Sequence, residues 1–114
     1  MPAVGPAEAK QIIDSGSQVI DVRTDVEYGA GHIRGARHIP VAHLQGEAAN
    51  LDKDRPVIIY CRSGNRSGPP ADAFAASGWD AHSIEGGLLA WVDAGLEIEP
   101  QDGSVAENPN MPPP

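Results

Sequence analysis

Two short apolar runs, Gln18-Val19-Ile20-Asp21-Val22 and Pro56-Val57-Ile58-Ile59-Tyr60, constrain this chain more than any other feature. Both are β-branched and nearly continuous, the pattern of strands covered on two faces rather than strands with one wet side. Such strands need helices above and below, and the intervening sequence supplies them. Ala81-His82-Ser83-Ile84 reads as a weaker third strand and Arg37-His38-Ile39 as a fourth. Residues 6–15 open with Pro and stop at Gly16, as helices prefer. Residues 24–30 suit a short helix with Thr24 as N-cap and the acids Asp25 and Glu27 in its first turn. Residues 41–49, interrupted by Gly46, then 71–77 and 88–94, ended by Gly78 and Gly95, complete the helical set. Strands alternating with helices imply an α/β domain with a largely parallel sheet.

The 114 residues are one domain's worth, and 40% hydrophobic content with only 4% aromatics means a core of Val, Ile, Leu and Ala. A formal charge of -8 argues against nucleic-acid binding, which needs a basic face. All eight basic residues lie at or before Arg66, and the acids alone continue beyond it. One cysteine excludes a disulfide within the chain and a thiolate zinc cluster. No stretch approaches the roughly 20 apolar residues of a membrane span, so no membrane partner is expected. The N-terminus lacks the basic and apolar regions of a secretory signal, which points to the cytoplasm. Residues 100–114 are polar and proline-rich and are expected to form a disordered tail after a domain at 4–99.

The chemistry concentrates in Tyr60-Cys61-Arg62-Ser63-Gly64-Asn65-Arg66-Ser67. A buried strand delivers Cys61 to its C-terminal end, where open α/β sheets bind ligands. A lone Cys after such a strand is ordinarily an inert core residue, but the polar run that follows is no core environment. The loop can curl so that its N–H groups point inward and cradle an anion, with Gly64 and Asn65 supplying the turn and Ser67 capping the next helix. Such N–H groups and the charges of Arg62 and Arg66 favour a thiolate. Pro69 and Pro70 remove two donors from that helix's first turn, so the anion field must come mainly from the loop.

Further pieces give these residues a context. In order they are Asp21-Val22-Arg23, Glu27-Tyr28, Gly31-His32-Ile33-Arg34-Gly35-Ala36, Ile39-Pro40, the Cys61 loop, Gly78-Trp79, Gly86-Gly87 with Trp91, and Gly95-Leu96. Together they resemble the rhodanese family over about residues 4–99, with Arg34 where that family usually has Pro. The resemblance implies a rhodanese-like α/β fold whose parallel sheet of about five strands is flanked by helices, and it implies transfer of sulfane sulfur. Cys61 would attack a small anionic donor such as thiosulfate and carry a persulfide to a thiol or cyanide acceptor, including a thiol on a protein. Arg62 and Arg66 would orient the donor, while the N–H groups of Ser63, Gly64, Asn65 and their neighbours stabilise the persulfide. Four residues separate Cys61 from Arg66. Related phosphatases and arsenate reductases have five, so the shorter loop suits a single sulfur atom. The other function the resemblance allows is an interaction or sulfur-relay module fed by a partner protein.

The remaining residues have quieter roles. Asp21 and Arg23 read as an internal ion pair shaping the site. His32, His38, His43 and His82 lack metal-ligand spacing, so neither metal nor cofactor is expected. Trp79 and Trp91 are expected to pack helices on the sheet, and Gly86-Gly87 to start a helix tightly against it.

Overall fold

The computed structural model describes residues 3–100 and 103–105. Five strands, β1 (Ala3–Val4), β2 (Gln18–Asp21), β3 (Arg37–His38), β4 (Val57–Tyr60) and β5 (Ala81–Ile84), form one sheet in the order β1-β5-β4-β2-β3. Every pairing is parallel. The helices are α1 (Pro6–Asp14), α2 (Asp25–Ala30), α3 (Val41–Glu47), α4 (Gly68–Ala76) and α5 (Gly87–Asp93). The fold is the expected helix-flanked α/β sheet. The fifth strand, β1, was outside the sequence-based set because two residues carry no periodicity to read.

β4 sits at the centre, and its alternation divides the core. Ile58 and Tyr60 join Val4, Ala9, Val19, Ile84, Leu88 and Trp91 on the face covered by α1 and α5. Val57, Ile59 and Cys61 join Ile20, Leu44 and Ala71 on the other, under α3 and α4. Trp91 is buried with its indole N–H donating to the Glu97 carbonyl at 2.9 Å, and Trp79 packs against Phe74 at 5.0 Å between ring centroids. The helix expected over 41–49 becomes a 3-10 turn at Ala48–Asn50, two residues after Gly46.

After α5 the chain crosses back to pair Glu99 with His32 in an antiparallel bridge. Ser104 donates its N–H to the Ala30 carbonyl at 2.9 Å, close beside Gly31. Most of the tail expected from residue 100 lies outside the described residues. Among the described residues no helix is long and apolar enough to cross a membrane.

Candidate active site

β4 ends at the carboxyl edge of the sheet, and the next residue is Cys61. From there the backbone turns in a tight loop and enters α4 at Gly68. Gly64 makes the turn at φ +103°, a conformation in which a Cβ is strained. That turn aims the Gly64 N–H at Cys61 Sγ, 3.0 Å away. The Gly68 N–H then donates to the Gly64 carbonyl at 3.0 Å and closes the loop. Arg62, Ser63 and Gly64 are half-buried and Asn65 is exposed. Cys61 itself is fully buried, so the sulfur lies at the floor of the loop and not on its surface.

The start of α5 supports the loop from below. The N–H groups of Leu88 and Leu89, unpaired within their own helix, donate to the carbonyls of Cys61 and Arg62 at 2.9 and 3.0 Å. This close approach requires glycine at position 87, where φ is +62° and an added Cβ would lie 2.6 Å from the Cys61 and Arg62 carbonyl oxygens. Gly87→Ala is therefore expected to displace the loop and cost about 1–3 kcal/mol of stability. Urea unfolding alongside the rate of Cys61 alkylation checks this; an unchanged midpoint and an unchanged rate would refute it.

Ser67 does not cap α4 as expected. A capping hydroxyl bonds the N–H of the second or third helical residue. Here those residues are Pro69 and Pro70, which have none. Ser67 has helical φ and ψ (-90° and -23°), and its buried hydroxyl lies 3.4 Å from Cys61 Sγ. The proline pair thus leaves Ser67 to face the sulfur.

Two ion pairs flank the loop. Asp21 and Arg23 are both fully buried, with Arg23 Nε 2.9 Å from Asp21 Oδ1 and Nη2 2.6 Å from Oδ2. Arg23 also donates to the Gly31 carbonyl at 2.6 Å. Burial works against the Arg23 charge, but the Asp21 carboxylate outweighs it and raises the guanidinium pKa. Tyr60, directly beside Asp21 in the sheet, accepts the Ile33 N–H at 3.0 Å, and burial raises its phenol pKa.

The second pair involves Glu27, in sequence a first-turn acid and part of the Glu27-Tyr28 piece. Arg66, expected to orient an anionic donor, forks onto Glu27 of α2, Nη1 to Oε1 at 2.7 Å and Nη2 to Oε2 at 2.9 Å. Thr24 and Glu27 form a reciprocal capping box, so the same carboxylate also accepts the Thr24 N–H at 3.2 Å. Burial alone would push the Glu27 carboxyl up; the Arg66 fork and the Thr24 N–H overcome that and bring it to about 2. The Ser/Thr-x-x-Glu spacing from Thr24 to Glu27 is a readable signal for the box. Nothing local announces a partner 39 residues away.

Among the described residues no group of three His, Cys, Asp or Glu side chains converges as metal ligands. His32 and His38 stack on the two sides of Tyr28, at 4.0 and 4.7 Å between centroids. His82 pairs with Asp80 at 2.7 Å, and His43 is exposed. The site as assembled is one sulfur, an N–H donor and a hydroxyl at short range, and two self-neutralised ion pairs around it.

Comparison with known proteins bears on this arrangement. The sequence profile of the rhodanese-like domain matches residues 5–94. The chain is 34% identical over 105 residues to a protein of Pseudomonas paraeruginosa named thiosulfate sulfurtransferase GlpE, covering 91% of this chain and 92% of that one. The crystal structure of a rhodanese-related protein from Thermoplasma volcanium superposes with a TM-score of 0.79 at 26% identity, over 86% of this chain and 97% of that one. A rhodanese-like domain protein from Staphylococcus aureus does so with a TM-score of 0.73 at 35% identity, over 87% and 99%.

Proposed function

The chain belongs to the rhodanese-like family, and from that membership we propose that it is a sulfurtransferase carrying sulfane sulfur as a persulfide on Cys61. The observation that carries this reading is the loop curled around the sulfur, with the Gly64 N–H 3.0 Å from Sγ. An N–H at that distance stabilises negative charge on sulfur, both in the thiolate and in the persulfide that replaces it.

In the first half-reaction the Cys61 thiolate attacks the outer sulfur of a small anionic donor such as thiosulfate. A new S–S bond forms, the donor's S–S bond breaks, and sulfite leaves with the electron pair. In the second, a thiol or cyanide takes the outer sulfur and returns the thiolate. No oxidant is needed, and the kinetics are ping-pong. Arg62 meets the donor's anionic end. Ser63, Gly64 and Asn65 shape the cradle, Ser67 holds the sulfur from the helix side, and Arg66 anchors the loop to α2. The Asp21–Arg23 pair steadies the end of β2 beside the site. Thiosulfate is favoured as the donor by the name of the Pseudomonas relative, and a single sulfur by the four-residue spacing from Cys61 to Arg66.

Incubation with thiosulfate should add the mass of one sulfur atom at Cys61, and later cyanide should remove it as thiocyanate. Aryl phosphates should not be hydrolysed. An unmodified Cys61 together with measurable phosphate-ester hydrolysis would overturn the reading.

A further inference from the structure

We propose that the Ser67 hydroxyl is a catalytic group of the second half-reaction: it stabilises Cys61 Sγ as the thiolate that leaves when an acceptor takes the outer sulfur. This rests on the sulfurtransferase reading above and assigns Ser67 a step within it.

The Ser67 hydroxyl lies 3.4 Å from Cys61 Sγ, and both residues are fully buried. Among the described residues Sγ is the hydrogen-bond partner of that hydroxyl, and the prolines at 69 and 70 remove the first-turn N–H groups that would compete for its oxygen. A hydroxyl away from water and bonded to one sulfur must follow the charge of that sulfur. A Cys61 thiol can donate to Oγ, but a thiolate has no proton, so the bond then survives only with the hydroxyl donating to Sγ. In the persulfide the negative charge moves to the outer sulfur, and Sγ becomes a neutral divalent sulfur, a weak acceptor. The outer sulfur must meet an acceptor arriving from solvent. It therefore extends toward the half-buried and exposed residues 63–65 and away from buried Ser67. The hydroxyl thus favours the thiolate over the persulfide.

Discharge is the step that returns charge to Sγ. The acceptor, cyanide or a thiolate, attacks the outer sulfur and forms a new bond to it; the bond from Sγ to the outer sulfur breaks, and its electron pair stays on Sγ. A group that holds the thiolate makes Cys61 a better leaving group here and a weaker nucleophile in the first half-reaction, because rates of sulfur exchange follow thiol basicity with a coefficient of about one half. Ser67→Ala removes the donor. The thiolate should lose about tenfold in stability against the thiol, seen as a rise of about one pH unit in the midpoint of thiolate ultraviolet absorbance. Cys61 is the single cysteine, so that absorbance reports one thiol. Single-turnover rates above the midpoint of both proteins then separate the two halves. Discharge to cyanide should slow about threefold and charging by thiosulfate should quicken by up to about threefold, so the ratio of discharge to charging falls about tenfold. Both rates are read on the same sample, so partial loss of folded protein cancels. Ser67→Thr keeps the hydroxyl and should keep the ratio within about twofold of the parent.

An unchanged midpoint and ratio in Ser67→Ala overturn the proposal. So does an equal slowing of both half-reactions, which would mean that Ser67 only holds the loop in shape. A Ser67→Thr ratio as low as that of Ser67→Ala overturns it too, by assigning the effect to packing. If the unaltered protein takes no sulfur from thiosulfate onto Cys61, the sulfurtransferase reading fails first and this one with it. Charging and discharge at a ratio indifferent to Ser67 defeat this proposal alone.

Discussion

Replacing Cys61 by serine should lower sulfur transfer by at least about a thousandfold, to the level of the uncatalysed reaction, because an alcohol oxygen cannot carry the persulfide. The fold should survive. Cys61 is fully buried among Ile20, Ile59 and Ala71, so its replacement is a core substitution and must be judged as one. Serine is close to isosteric with cysteine, and its hydroxyl would inherit the Gly64 N–H at 3.0 Å and the Ser67 hydroxyl at 3.4 Å as partners. A satisfied buried hydroxyl costs about 1 kcal/mol or less, a loss of about 5 °C in Tm for a domain of this size. Alanine leaves a small void and an unpaired Gly64 N–H, so it should be the less stable variant and equally inactive. Thiocyanate release and thermal melts on both proteins check this. Measurable turnover in either would eliminate Cys61 as the nucleophile, whatever the melts show.

The burial of Cys61 also shows what could be read ahead of the structure. The strand-then-polar-loop pattern locates the sulfur correctly at the carboxyl edge of the sheet, because β-branched runs and their ends are local signals. The Gly86-Gly87 pair reads as a tight helix start for the same reason, and α5 does begin at Gly87 against the Cys61 carbonyl. The depth of the sulfur is set by α3 and α4 packing over it through Leu44 and Ala71, which no window of a few residues contains. The cap expected at Ser67 is missing for a reason that lies in adjacent residues: a cap at position 67 has no donors when residues 69 and 70 are both proline. Arg66 is the harder case. Its charge suggests anion binding until Glu27 is known to lie against it, and the two are separated by two strands and a helix in sequence. Local chemistry therefore singles out the candidate nucleophile, while the charge around it depends on a tertiary contact.

That contact should dominate the stability of the site. Arg66→Ala leaves the buried Glu27 carboxylate without its cation, and breaking a buried pair from one side costs about 3–5 kcal/mol. With the Arg66 side chain 18% exposed, water can reach the gap, so the lower figure is the better expectation. Losing both charges together should cost far less, because no ion is then stranded. The pH dependence supplies a second signature. In the parent protein the Glu27 carboxyl falls from 4.5 to about 2 on folding, so its contribution is complete above 4.5 and is lost as pH falls from 4.5 toward 2. In Arg66→Ala only the Thr24 hydrogen bonds still oppose burial, and desolvation, the largest single contribution, should carry the carboxyl above its unfolded value. The penalty is then full at neutral pH and is relieved on acidification, as the carboxyl takes up a proton in the folded state. The stability gap between parent and variant should therefore narrow between neutral pH and about pH 4.5. Urea unfolding at those two pH values measures it directly. A variant as stable as the parent at neutral pH, or a gap that ignores pH, would mean the fork contributes nothing to holding the loop on α2.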